Sequence, residues 1–113
     1  MTLRTLVDSL HLDVICGNEK LDQKVSGGYA GDLLSDVIAH SNAGNVWVTM
    51  QAHVNIVAVA ALKDLAGIVI VRGKRPADDT LAKAKEQKVA LLVSELPAFE
   101  TIGRIHALLG GGP

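Results

Sequence analysis

Apolar positions recur at two periods along this chain, and the switches between them mark out alternating helices and strands. Leu3, Leu6, Val7 and Leu10 follow helical spacing with Thr2 as a candidate N-cap, so a short amphipathic helix is predicted there. Leu12–Cys16 reads as a strand closed by a Gly17-Asn18 turn. A weaker, more polar strand is predicted over 23–26, ahead of Gly27 and Gly28. The next helix begins near Asp32 and turns Leu33, Leu34, Val37 and Ile38 inward; Asn42–Asn45 ends that unit. Val46, Val48 and Met50 alternate with Trp47, Thr49 and Gln51, which predicts a strand with two distinct faces. Val54–Leu62 is small and apolar nearly all round, as in a helix buried on several sides.

Gly67–Val71 is a β-branched run typical of an inner parallel strand, and Val89–Val93 repeats it. Between them lie the basic loop Arg72–Pro76 and a charged helix over 78–88. A last helix is predicted from Pro97, burying Phe99, Ile102 and Leu109, before a fraying tail over 110–113. Helices thus alternate with strands, which predicts an α/β fold: a mostly parallel sheet with helices on both faces.

Composition narrows the function classes. The 113 residues suit one domain over 1–113, and a hydrophobic fraction of 49% argues against disorder. A net charge of −1 and only three aromatic residues (Tyr29, Trp47, Phe99) argue against a nucleic-acid partner. A single cysteine, Cys16, permits neither an intramolecular disulfide nor a thiolate zinc cluster. The amino terminus has no signal-peptide pattern and the apolar runs are too short for a bilayer, so the expected location is the cytoplasm, away from membrane.

Candidate chemistry gathers where the strands end, since ligands of open α/β sheets sit outside the carboxyl ends of the strands. That rule selects Gly17-Asn18, then Thr49, Gln51, His53 and Asn55, then Arg72-Gly73-Lys74-Arg75, then Ser94-Glu95. Thr49, Gln51, His53 and Asn55 offer a hydrogen-bonding edge to a ligand, and His53 or Asn55 alternatively caps the following helix. Arg72 and Arg75 flank Gly73 at a strand-to-helix turn suited to a phosphate, although Asp78 and Asp79 are placed to neutralise them. Gly27 and Gly28, in Ser26–Asp32, resemble a phosphate cradle but lack Gly-x-Gly-x-x-Gly spacing; a tight turn or close packing against another chain is the simpler reading. Asp36 and His40 stand i, i+4 and read as a surface ion pair rather than metal ligands. His106 reads as a core-edge residue, and nucleophile–base pairs such as Ser26 or Ser35 with His53 have no Gly-x-Ser-x-Gly elbow to support them. No catalytic residue, metal site or cofactor is assigned.

Three segments, Ser26–Val37, Asn45–Ala60 and Leu65–Pro76, make the chain resemble a stand-alone DRTGG-domain protein. The resemblance implies a domain similar to the N-terminal domain of HPr kinase, used elsewhere as a regulatory or dimerising module inside phosphotransacetylases and CBS-domain pyrophosphatases. It does not imply kinase chemistry, which belongs to a separate P-loop domain that this sequence lacks. The Asp-Arg-Thr-Gly-Gly signature itself is absent, and the nearest segment reads Arg72-Gly73-Lys74-Arg75-Pro76. The expectation is a regulatory homodimer that senses a small phosphorylated or nucleotide-like ligand. The alternatives are a protein-interaction module within a larger complex, which needs no small ligand, and a phosphotransferase or hydrolase.

Overall fold

The computed structural model describes residues 1–110. The predicted fraying concerns 110–113: Gly110 stands in a turn, and 111–113 lie outside the described residues.

Helix α1 (Leu3–Leu10) forms as its spacing requires, with the Thr2 hydroxyl accepting the Thr5 N–H and His11 closing the helix at φ 54°. Strand β1 (Asp13–Cys16) follows, and Gly17 then turns at φ 94° against Ala90. An added Cβ there would lie 2.5 Å from the Ala90 Cα, so both the space and the backbone angle demand glycine. A 3-10 turn at Asn18–Lys20 leads to β2 (Gly27–Ala30), α2 (Leu34–His40) and β3 (Asn45–Thr49). The chain continues through α3 (Asn55–Lys63), β4 (Gly67–Ile70), α4 (Asp78–Gln87), β5 (Leu91–Val93) and α5 (Ala98–Leu108).

The strands form one sheet in the order β1-β5-β4-β3-β2, parallel except for β1, which runs antiparallel beside β5. This is the predicted α/β architecture. Strands β2 to β5 advance in one direction, so right-handed crossovers put α2, α3 and α4 on the same face. Trp47, Ile68, Ile70 and Leu91 meet Val37, Ile56, Val57 and Ala84 there. Among the described residues the opposite face carries only α1 and α5, packed through Leu3, Leu6 and Ile105 on Val46, Val48, Val69 and Leu92. Helices pack about 10 Å apart and strands about 4.8 Å apart, so two helices cover roughly four strands. The fifth strand, β2, is left partly bare on that face.

Three local expectations need correction. The strand expected at 23–26 lies instead at Gly27–Ala30: four residues of ladder beside β3 outweigh the poor strand propensity of glycine. Segment 23–26 is extended but holds only one isolated bridge, Lys24 to Thr2. On α2 only Val37 is fully buried, whereas Leu33 is 69% exposed and Ile38 also faces outward. On α5 the buried residues are Thr101 and Ile105; Phe99 is 89% exposed and His106 is exposed as well. The two faces expected of β3 are present: Trp47 packs in the α2–α4 layer and Val46 and Val48 in the α1–α5 layer, and all five strand residues are buried.

Candidate functional site

The carboxyl ends of β3, β4 and β5 bring together most of the polar residues singled out above. They fall into two corners with different chemistry.

At one corner, Arg75 pairs with Asp13 on β1 at 2.5 Å and with Glu95, just past β5, at 3.5 Å. Antiparallel pairing places Asp13 opposite Val93, which is why a residue near the chain start reaches this end of the sheet. Arg72 and Gly73 both have positive φ, at 60° and 65°, and the turn they make is closed by the Lys74 N–H on the Val71 carbonyl. The Arg72 N–H donates to the Leu96 carbonyl and the Gly73 N–H to Ser94. Three successive amides that would form a phosphate cradle are therefore already used within the chain. Ser94 is equally committed: its hydroxyl bonds Thr101 at 2.9 Å and accepts the Leu96 N–H.

At the other corner, β2 and β3 end side by side. Asp32, two residues beyond β2, accepts the Thr49 hydroxyl at 2.7 Å and the Met50 N–H at 2.8 Å, both on Oδ1. Thr49 is buried and its Oγ1 in turn accepts the Gln51 N–H. The Trp47 indole donates to the Gly31 carbonyl at 2.8 Å, which fixes the backbone directly before Asp32. Oδ2 of Asp32 has no partner among the described residues. Asp32 lines a cavity of about 260 Å³ with Thr49, Met50, Val48, Ala98 and Ile102. A second cavity of about 130 Å³ continues it between β2 and α5, past Gly28, Ile105, His106 and Leu109. Together they form one groove, open because β2 offers only Gly28 and Ala30 to that face.

The remaining candidates are dispersed. Gly28 borders the inner end of this groove, whereas Gly27 pairs with Asn45 at the amino end of β3, away from Asp32. His53 and Asn55 are exposed, and neither caps α3, whose N-cap Val54 has no side-chain bond. Ser26 donates to the Ala43 carbonyl at the amino end of the sheet, the end opposite His53. Asp36 and His40 form the expected exposed ion pair at 3.7 Å. Asp36 also accepts the Tyr29 hydroxyl, and that carboxylate pushes the phenol up to about 12. Burial pushes the Cys16 thiol up, and it donates to the Val89 carbonyl, so it is a core residue rather than a nucleophile. No group of three or more His, Cys, Asp or Glu among the described residues could hold a metal ion. No helix among them is long and apolar enough to cross a membrane. A polar cleft of about 270 Å³ between Lys20, Gln23, Asp64 and Lys88 lies at the amino end of the sheet. The carboxyl ends of α3 and α4 border that cleft, and their partial negative charge disfavours an anion there.

Asp32 was legible in the sequence only as a helix start. The signal that finds it is the carboxyl-end rule itself, applied to β2 once Gly27–Ala30 is recognised as a strand.

No family model and no curated protein matches this sequence. Among solved structures, one of the regulatory region of Clostridium perfringens pyrophosphatase is similar to this chain. It comprises CBS and DRTGG domains complexed with the activator diadenosine tetraphosphate. The likeness covers 92% of this chain with a TM-score of 0.76 at 14% sequence identity. This chain spans 45% of the length of that structure. The likeness is one of fold.

Proposed function

We propose that this chain is a non-catalytic regulatory domain, one unit over 1–113, that senses a small nucleotide-like or phosphorylated ligand as a cytoplasmic homodimer. The observation that carries this reading is the groove at the β2–β3 corner, a concave and mostly apolar site at whose open end Asp32 holds a carboxylate oxygen with no partner among the described residues, and whose inner end is bordered by His106. Such a site suits binding, and no nucleophile–base hydrogen bond accompanies it for turnover. The structural likeness to a regulatory region bound to a nucleotide activator supports the same class of role.

Self-association is supported by the contrast between the two sheet edges. Edge β1 carries a charged residue, an ion pair and a register shift between Val14 and Cys16, all devices that discourage pairing with another chain. Edge β2 carries no charge, proline or bulge, and its Gly28 and Ala30 are exposed. Native mass spectrometry on untagged protein tests both claims: a dimer with releasable small-molecule mass is expected. A monomer at high micromolar concentration removes the dimer, and the absence of any bound or bindable small molecule removes the sensor.

A second reading has its own observation. Phe99 at 89%, Leu62 at 70% and Leu33 at 69% exposure are large apolar side chains left in water. An assembly module would bury such residues against a protein partner. Co-purification of a stoichiometric partner, lost on Phe99→Ser, favours that reading.

A further inference from the structure

We propose that the groove is a nucleoside site in which Asp32 receives the ribose hydroxyls and the apolar walls hold the base; this rests on the ligand-sensing reading above. Oδ1 of Asp32 is occupied by Thr49 and Met50, which fix the carboxylate, while Oδ2 keeps both lone pairs. A fixed acceptor of this kind recognises hydroxyl or amine donors and repels phosphate. The phosphate end of any nucleotide would therefore point out of the groove toward solvent.

The walls fix the rest of the ligand. Val48, Met50, Ala98 and Ile102 line the cavity with methyl and thioether surface alongside Ala30 and Gly31. A mostly apolar groove of about 260 Å³ with a 130 Å³ extension beside α5 favours an uncharged ring over a charged chain. Its size stands at the lower end of the roughly 300–1,000 Å³ usual for small-ligand sites. Met50 is half-exposed at the mouth, and its flexible thioether can lie against an aromatic face. A nucleoside supplies both parts at once: a planar base and two vicinal hydroxyls for one carboxylate oxygen.

The basic corner gives no competing site of comparable quality. Its amides are used in the turn, Arg75 is paired with two carboxylates, and the remaining cations, Arg72 and Lys74, are exposed side chains that line none of the cavities described above. Recognition therefore falls to the acidic corner, the reverse of what a phosphate sensor requires.

The test is calorimetric titration of the intact chain with adenosine, guanosine, cytidine and uridine, their 2′,3′-dideoxy counterparts, and inorganic phosphate. At least one ribonucleoside is expected to bind, with its dideoxy form at least tenfold weaker and phosphate silent. Asp32→Asn keeps an acceptor for Thr49 and Met50 but replaces the free oxygen with an amide donor, so binding should fall at least tenfold. Ile102→Trp fills the groove from the exposed side of α5 and should abolish binding in a chain whose circular dichroism is unchanged. Unaltered affinity in Asp32→Asn, or no response to any nucleoside, overturns the proposal. If native mass spectrometry still finds a bound molecule then, the sensing reading survives and only the nucleoside assignment fails. If nothing binds by either method, both fail.

Discussion

The two corners at the carboxyl end of the sheet use similar residue types to opposite ends. At the β1–β4–β5 corner, Arg75, Asp13 and Glu95 satisfy one another and the Arg72–Lys74 amides close onto the chain. At the β2–β3 corner, Asp32 spends one oxygen on the fold and keeps the other. Charge density alone would choose the first corner as the binding site; spare hydrogen-bonding capacity beside a groove chooses the second. A polar group is available to a ligand only after the fold's own needs have been met.

The largest expected effect comes from removing what supports the open corner. Trp47 is fully buried, and its indole fixes the Gly31 carbonyl. Trp47→Ala should cost about 3–5 kcal/mol, from the cavity and the lost hydrogen bond together, read by chemical denaturation. Loss of under about 1 kcal/mol would mean that the packing around the open corner is not as described. Gly73→Ala probes the closed corner. It forces a side chain into φ 65° and toward the Glu95 carboxylate, which can swing aside, so a cost of about 1–2 kcal/mol is expected, mostly from the backbone. Thr49→Val keeps the shape of the open corner but removes the hydroxyl between Asp32 and the Gln51 N–H. A loss of about 1 kcal/mol is expected, with weaker nucleoside binding as Asp32 loosens.

Arg75→Ala sharpens the contrast from the other side. Its ion pairs are half-exposed, so stability should change by less than about 1 kcal/mol and nucleoside affinity should not move. A tenfold loss of affinity there would return the site to the basic corner. The smallest effect is confined to alkaline pH. Tyr29 is the only tyrosine, and its folded-state value of about 12 lies above the ordinary value of about 10. The folded state therefore holds that proton more tightly, and the contribution is complete below about pH 10 and lost as pH rises toward 12. Absorbance titration should show late ionisation in the native protein, returning toward the ordinary value in Asp36→Asn.

Much of the fold was legible because its central strands obey one rule each. Gly67–Ile70 and Leu91–Val93 are buried on both faces and read as unbroken apolar runs; α1 shows clean helical spacing and a capping threonine. The edge was not legible. Strand β2 owes its existence to β3 rather than to its own residues, so Gly27–Ala30 looked like a turn. That one misplacement hid the candidate groove, because Asp32 then stood at a helix start instead of at a strand end. Thr49 and Gln51 stood out as candidates because β3 was recognised, but Thr49's hydrogen-bond partner, Asp32, did not. Phe99 failed for a different reason. Helical spacing fixes which residues share a face, yet α5 shows the sheet a face centred on Thr101 and Ile105, and the stripe containing Phe99 and Ile102 lies toward its rim.

The hydrogen bond from Trp47 to Gly31 gives the molecule an intrinsic optical probe. The chain contains one tryptophan, so its ultraviolet emission comes from a single indole whose ring nitrogen holds the peptide next to Asp32. A ligand that pulls on that carboxylate perturbs the same peptide carbonyl, and the emission maximum and lifetime should register its arrival without any attached dye. The domain can therefore be titrated against any colourless compound, at low concentration, by observing light from one known position.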